Sequence, residues 1–105
     1  MDAKTSVNWT FSALEMLAEI HDFLLEFSES SADKYVVDLV DYIAKKLEKH
    51  PESCPPCKNP KLKTAGFRCC NFKNHIIIYE IAEKGINILA VMHAKRNPKD
   101  LDDLV

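Results

Sequence analysis

The sequence predicts an α+β domain: an N-terminal strand, a helical hairpin, then a three-stranded antiparallel meander. Three observations carry this. The first half holds two apolar stripes at helical spacing, a proline-rich stretch interrupts the middle, and the second half holds three strand-like apolar runs separated by short breaks. At 105 residues and 47% apolar content, one core is the limit, so residues 1–105 are read as a single domain.

The elements follow in order. Between Ala3 and Thr10, Val7 and Trp9 alternate with Asn8 and Thr10, which predicts a short first strand. Ser12-Ala-Leu-Glu15 has the form of a capping box, with the Ser12 hydroxyl on the Glu15 N–H and the Glu15 carboxylate reaching back. Ala13, Leu17, Ile20, Leu24 and Phe27 then make one helical stripe, so a helix is expected over 12–27. After the polar break at 28–31, Ser30 or Ser31 is expected to cap a second helix. Its stripe is Tyr35/Val36, Leu39/Val40, Ile43 and Leu47. Lys45, Lys46 and Lys49 suit its C-terminal dipole, and Pro51 ends it.

Pro51, Pro55, Pro56 and Pro60 exclude helix and central strand, so residues 51–64 read as an extended Pro/Cys-rich loop. Strands are expected over 67–72, 75–81 and 86–93, with breaks at 73–74 and 82–85. The last two are apolar on both alternations, as strands covered on both faces are. The helices cover one face; the other is closed by the tail or left to a partner. Residues 98–105 read as a polar tail.

Charge is uneven. Residues 1–44 carry two basic residues and nine acids, whereas residues 45–105 carry twelve basic residues and seven acids. Lys58, Lys61, Lys63, Arg68 and Lys73 fall between Ser53 and Tyr79 without an acid among them, giving one basic edge or an ordinary solvated surface. The formal charge of −2 argues against a chain that coats nucleic acid through its bulk field. No apolar run approaches the ~20 residues of a membrane span. The polar N-terminus lacks a signal-peptide core, so a cytoplasmic product is expected, with no membrane partner.

The cysteines come as Cys54-Pro-Pro-Cys57 and Cys69-Cys70. Adjacent strand residues point to opposite faces, so Cys69 and Cys70 cannot both meet Cys54 and Cys57 without a bulge. That disfavours a four-thiolate zinc site. It leaves open a three-thiolate site from Cys54, Cys57 and Cys69 completed by a histidine, a local Cys54–Cys57 disulfide, or no chemistry at all. His21 and His50 read as structural. His75 opens a strand and His93 closes one, so the two can be neighbours. His93 with Lys95 and Arg96 groups a proton-transfer residue with two fixed cations, which suits a phosphodiester, although a solvated strand end has the same composition. P-loop, dinucleotide and serine-hydrolase motifs are lacking.

The ordered set of a Trp-containing strand, Ala13-x-x-x-Leu17-x-x-Ile20, Leu47-Glu-Lys-His-Pro51, Gly66-Phe67-Arg68, Ile76-Ile-Ile-Tyr79-Glu-Ile and Ile88-Leu-Ala-Val-Met-His93-Ala-Lys-Arg96 resembles the RelE/ParE toxin superfamily of type II toxin–antitoxin modules. The resemblance spans roughly residues 5–98. It implies a helical hairpin packed on a twisted antiparallel sheet, with the first strand joining the meander. It also implies a toxin neutralised by an antitoxin encoded beside it, whose C-terminal segment wraps the toxin as helix and extended strand.

The RelE-like branch, similar to ribosome-dependent mRNA endonucleases, carries an arginine where this chain has Ile76. The ParE-like branch, similar to gyrase inhibitors and plasmid stabilization proteins, ends its last strand in Val-x-His, matched by Val91-Met-His93. The resemblance therefore implies a ParE-like toxin that binds DNA gyrase through Arg68, Lys73, His93, Lys95 and Arg96, without cofactor or resident metal, as a homodimer or a heterotetramer with its antitoxin. The alternative is an mRNA endonuclease acting at the ribosome, with Arg68 and Arg96 stabilising the transition state and His75 or His93 moving the ribose proton. A third reading is a chromosomal relic that keeps antitoxin binding alone.

Overall fold

The computed structural model describes residues 5–94. Strand β1 (Val7–Trp9) leads into helices α1 (Phe11–Leu25) and α2 (Glu29–Lys49). A short helix α3 (Pro60–Thr64) precedes strands β2 (Arg68–Phe72), β3 (His75–Ala82) and β4 (Gly85–His93). The sheet order is β1-β4-β3-β2. The predicted meander forms, with β2–β3 and β3–β4 antiparallel. β1 instead joins parallel to β4, with Val7, Asn8 and Trp9 opposite Ile86, Asn87 and Ile88, so the sheet is mixed. A parallel pair needs a long crossover, and everything from α1 to β3 supplies it.

The helix caps differ from those read in the sequence. Thr10, not Ser12, caps α1: its hydroxyl accepts from the Ala13 N–H at 3.2 Å. Ser28, not Ser30 or Ser31, caps α2 and accepts from the Ser31 N–H at 3.3 Å. In both cases the earlier hydroxyl has the extended backbone that a cap requires. Thr10→Ala is expected to cost about 1 kcal/mol and Ser12→Ala a few tenths, read from urea midpoints. α1 ends at Leu25, so Phe27 leaves the predicted buried stripe and stands 73% exposed.

The proline-rich stretch is not wholly extended. Pro60 occupies the first turn of α3, where its missing N–H costs nothing. Asn59 caps that turn, accepting from the Lys61 and Leu62 N–H groups.

α2 lays Leu39, Ile43 and Leu47 on one sheet face against Ile77, Tyr79, Ile86, Ile88 and Val91, with Ala13 and Leu17 of α1 beside them. Opposite Ile78 and Tyr79, β4 carries one extra residue, Leu89, because Ile78 pairs Ala90 whereas Tyr79 pairs Ile88. This bulge shifts the alternation so that Ile86, Ile88 and Val91 all meet the helices. The sequence predicts a far face closed by the tail or left to a partner. Among the described residues, Ile78, Ala90 and Met92 instead pack with Cys57 and with Leu62 of α3. Two polar ties hold the start of that covering segment: the Tyr79 hydroxyl donates to the Pro51 carbonyl at 2.7 Å, and Arg68 Nη1 donates to the Cys54 carbonyl at 2.7 Å.

Candidate functional site

Every third or fourth residue of α1 from Met16 to Leu24 (16, 19, 20, 23 and 24) faces a groove of about 460 Å³. The opposite wall is Tyr35 of α2, with Val91 and His93 of β4, and His75 of β3 with Asn74 closes one end. The same spacing that sends Ala13 and Leu17 into the core turns Met16, Ile20 and Phe23 into this groove. His21 of α1 meets Asp33 of α2 at 2.6 Å, which links the helices as a structural histidine would.

The polar end of the groove is built by β pairing. His75 and His93 are directly opposite in the β3–β4 ladder, with ring centroids 5.4 Å apart, as their strand-end positions predict. The Tyr35 hydroxyl lies 2.5 Å from His75 Nδ1. Burial raises the Tyr35 pKa, partly offset by a hydrogen bond involving the Asn74 backbone, so the phenol keeps its proton. Burial, with the charge of His93 second, lowers the His75 pKa. Near neutral pH the phenol therefore donates to a neutral imidazole. Lys73, held at φ 52° in the two-residue turn, extends over the Tyr35 and Phe72 rings at 5.4 and 5.5 Å. The Ala94 N–H donates to the Asn74 carbonyl at 2.7 Å and ties the end of β4 to this turn.

The His75 shift has a definite sign. The folded chain binds this proton less readily than the unfolded chain, whose imidazole titrates near 6.5. Stability attributable to His75 is therefore present above about pH 6.5 and is lost as pH falls below it. Chemical denaturation at pH 7 and pH 5 should show a steeper acid loss in the wild type than in His75→Gln.

The structure divides the predicted contact set. His93 lines the groove end, and Lys73 lies over the ring of Tyr35, which lines it too. Arg68 lies at the other end of β2, opposite Tyr79 rather than His75, a separation of four residues or roughly 13 Å. Its guanidinium is engaged by the Cys54 carbonyl and, at 3.4 Å, by the Glu52 carbonyl. Lys95, Arg96 and the 98–105 tail lie outside the described residues. Tyr35, Glu19 and Phe23 were not singled out from sequence. The helical period placed Tyr35 on the core stripe, but no local pattern announces its contact with His75, forty residues away.

The cysteines adopt none of the arrangements that the sequence suggests. Cys54 is joined to Cys70 and Cys57 to Cys69, with Cα–Cα distances of 5.3 and 5.0 Å. Opposite-facing neighbours on β2 exclude convergence of four sulfurs at one point, but they do not exclude two separate pairs. The Cys54–Cys57 segment runs antiparallel along the outer edge of β2. The Cys57 N–H donates to the Phe67 carbonyl, the Cys69 N–H to the Pro55 carbonyl, and Pro56 bridges Arg68. Cys54 thus reaches the helix-side core and Cys57 the far-face cluster, one disulfide on each face. Sulfurs so bonded are not thiolate ligands, which removes Cys54, Cys57 and Cys69 as metal candidates and excludes the local disulfide. Among the described residues, no group of three or more His, Cys, Asp or Glu is placed to hold a metal ion, and no helix is long and apolar enough to cross a membrane.

A family model described as the ParE toxin of the type II toxin–antitoxin system parDE matches residues 7–98. A chain of the chromosomal ParDE system from P. aeruginosa shares the fold with a TM-score of 0.73 at 23% identity, over 88% of this chain and 98% of that one. A chain of the toxin–antitoxin complex RelBE2 from Mycobacterium tuberculosis has a TM-score of 0.64 at 19% identity, over 86% and 98%. No curated protein matches the sequence.

Proposed function

Because the chain belongs to the ParE toxin family of type II toxin–antitoxin systems, we propose that it inhibits DNA gyrase by binding and that a cognate antitoxin neutralises it through the groove between α1 and the β3–β4 end. The observation that carries the antitoxin reading is the groove itself. Met16, Ile20, Phe23 and Leu24 form an apolar wall on one helix, with Phe23 61% exposed and edge-on to Phe27 at 5.5 Å. Such a wall suits the apolar side of a partner segment.

Binding without covalent chemistry is favoured by where the cations lie. Arg68 is committed to loop carbonyls, Lys73 lies across two rings, and Ile76 stands where the nuclease branch has its arginine. Lys73, His93, Lys95 and Arg96 are the proposed target contacts.

The adjacent imidazoles of His75 and His93 support a second reading as an mRNA endonuclease, since such a pair can act as base and acid. One experiment separates the two. Purified toxin should block gyrase supercoiling, and added antitoxin should restore it. His93→Gln should weaken that inhibition by at most about a hundredfold, the loss of one or two polar contacts. Ribosome-dependent mRNA cuts abolished by the same substitution, with supercoiling unaffected, would establish the nuclease reading instead. A relic would show neither effect while still binding antitoxin.

A further inference from the structure

The two disulfides differ in access. Cys54, Cys70 and Cys57 are 4%, 1% and 1% exposed, whereas Cys69 is only partly buried. Cys54–Cys70 belongs to the core beneath α2, whereas Cys57–Cys69 belongs to the far-face cluster under α3. The less buried bond also sits in the acid-free basic stretch: Lys58 follows Cys57, and Lys61 and Lys63 lie on α3.

We propose that Cys57–Cys69 is a thiol-exchange site for an anionic low-molecular-weight thiol, and that its opening releases residues 57–67 from the far face of the sheet while Cys54–Cys70 stays closed. A thiolate attacks Cys69 Sγ. The new bond joins the small thiol to Cys69, the Cys57–Cys69 bond breaks, and Cys57 leaves as a thiolate that takes a proton. A second thiolate attacks the small-molecule sulfur of this mixed disulfide and expels Cys69, which is protonated in turn. Two small thiols become one small disulfide, and their two electrons reduce the protein bond. The local cations attract the anionic reagent and stabilise the departing thiolate.

The connectivity explains why release stays local. Cys57–Cys69, twelve apart in sequence, is nested inside Cys54–Cys70, sixteen apart. Cutting the inner link leaves the outer one, together with the Arg68 and Tyr79 hydrogen bonds, to hold the start of the segment. What remains over the far face is the packing of Cys57, Leu62 and Phe67 and the bonds from the Cys57 N–H to the Phe67 carbonyl and from the Phe67 N–H to the Leu62 carbonyl.

The test treats the oxidised full chain with reduced glutathione at neutral pH, blocks free thiols by alkylation, and maps the products by peptide mass spectrometry alongside brief trypsin digestion. Glutathione is expected on Cys69, with Cys57 alkylated at least tenfold faster than Cys54 or Cys70, and cleavage after Lys61 and Lys63 rising in parallel. Equal rates for the two bonds, prior opening of Cys54–Cys70, glutathione on Cys57, or unchanged cleavage would overturn the proposal. Lys58→Glu should slow glutathione at least threefold and leave neutral 2-mercaptoethanol unchanged; equal slowing of both would remove the charge argument. The Cys57→Ser/Cys69→Ser double variant, if folded, should cleave at the fast rate without any thiol, and slow cleavage would count against release. Should that variant fail to fold, the wild-type mapping decides alone.

Discussion

Phe23→Asp is expected to weaken antitoxin binding by about a hundredfold, or about 2.7 kcal/mol, without disturbing the fold. Phe23 sits on the groove wall, yet its ring is 61% exposed and contributes little to the core. The stability cost should therefore stay within about 0.5 kcal/mol, the range of ordinary surface changes. In the proposed complex, the aspartate would lose the aromatic contact and place a carboxylate on the same helical face as Glu19, where an apolar partner would have to strip its water. Phe11→Asp is the control. Phe11 is 76% exposed on the same helix, but it does not line the groove, and its substitution should change affinity less than threefold. Calorimetric titration of each variant with antitoxin makes the comparison. Equal losses would mean that the partner does not read the groove.

Much of the architecture was legible because it depends on spacing. The two helical stripes and the three apolar runs each force a period, and a period determines which residues face inward whatever lies opposite. The pairing of His75 with His93 followed for the same reason, since adjacent antiparallel strands bring an opening and a closing residue together. The direction of β1 was not legible: three residues with one alternation serve a parallel or an antiparallel edge equally well. The capping-box pattern points to Ser12, but Thr10 carries the same hydroxyl two residues earlier and has the extended backbone of a cap. Leu89 carries no local mark of a bulge, being one apolar residue among several.

The site was less legible than the fold because it depends on which partner a group finds at long range. Arg68 looks like a phosphate ligand until its guanidinium is found on the Cys54 and Glu52 carbonyls. The same loop conceals the cysteine pairing. Cys69 and Cys70 do face opposite ways, but the Cys54–Cys57 segment straddles the edge of β2 and serves both faces.

Gly85→Ala should destabilise the protein by about 3 kcal/mol, lowering the melting temperature by roughly 12 °C or more. Gly85 has φ +141°, a conformation that side chains rarely adopt, and a Cβ there would stand 2.6 Å from the Ser6 carbonyl oxygen and 3.1 Å from Ser6 Cβ. That oxygen is not free to retreat, because it accepts from the Ile86 N–H at 2.8 Å at the start of the β1–β4 pairing. Gly66, the chain's other glycine, separates the two contributions. Its φ is +86°, but nothing lies within 4 Å of a Cβ built there, so Gly66→Ala should cost about 1 kcal/mol from backbone strain alone. Thermal unfolding of the oxidised variants tests the difference, and equal shifts would mean that the approach of Ser6 carries no energy. The effect should extend beyond β4. Displacing Ser6 loosens β1, whose end continues through Thr10, bonded by its N–H to the Ile88 carbonyl, into the cap of α1. Gly85→Ala should therefore also weaken antitoxin binding, although Gly85 touches no part of the groove, because the groove wall is oriented by the strand that precedes it.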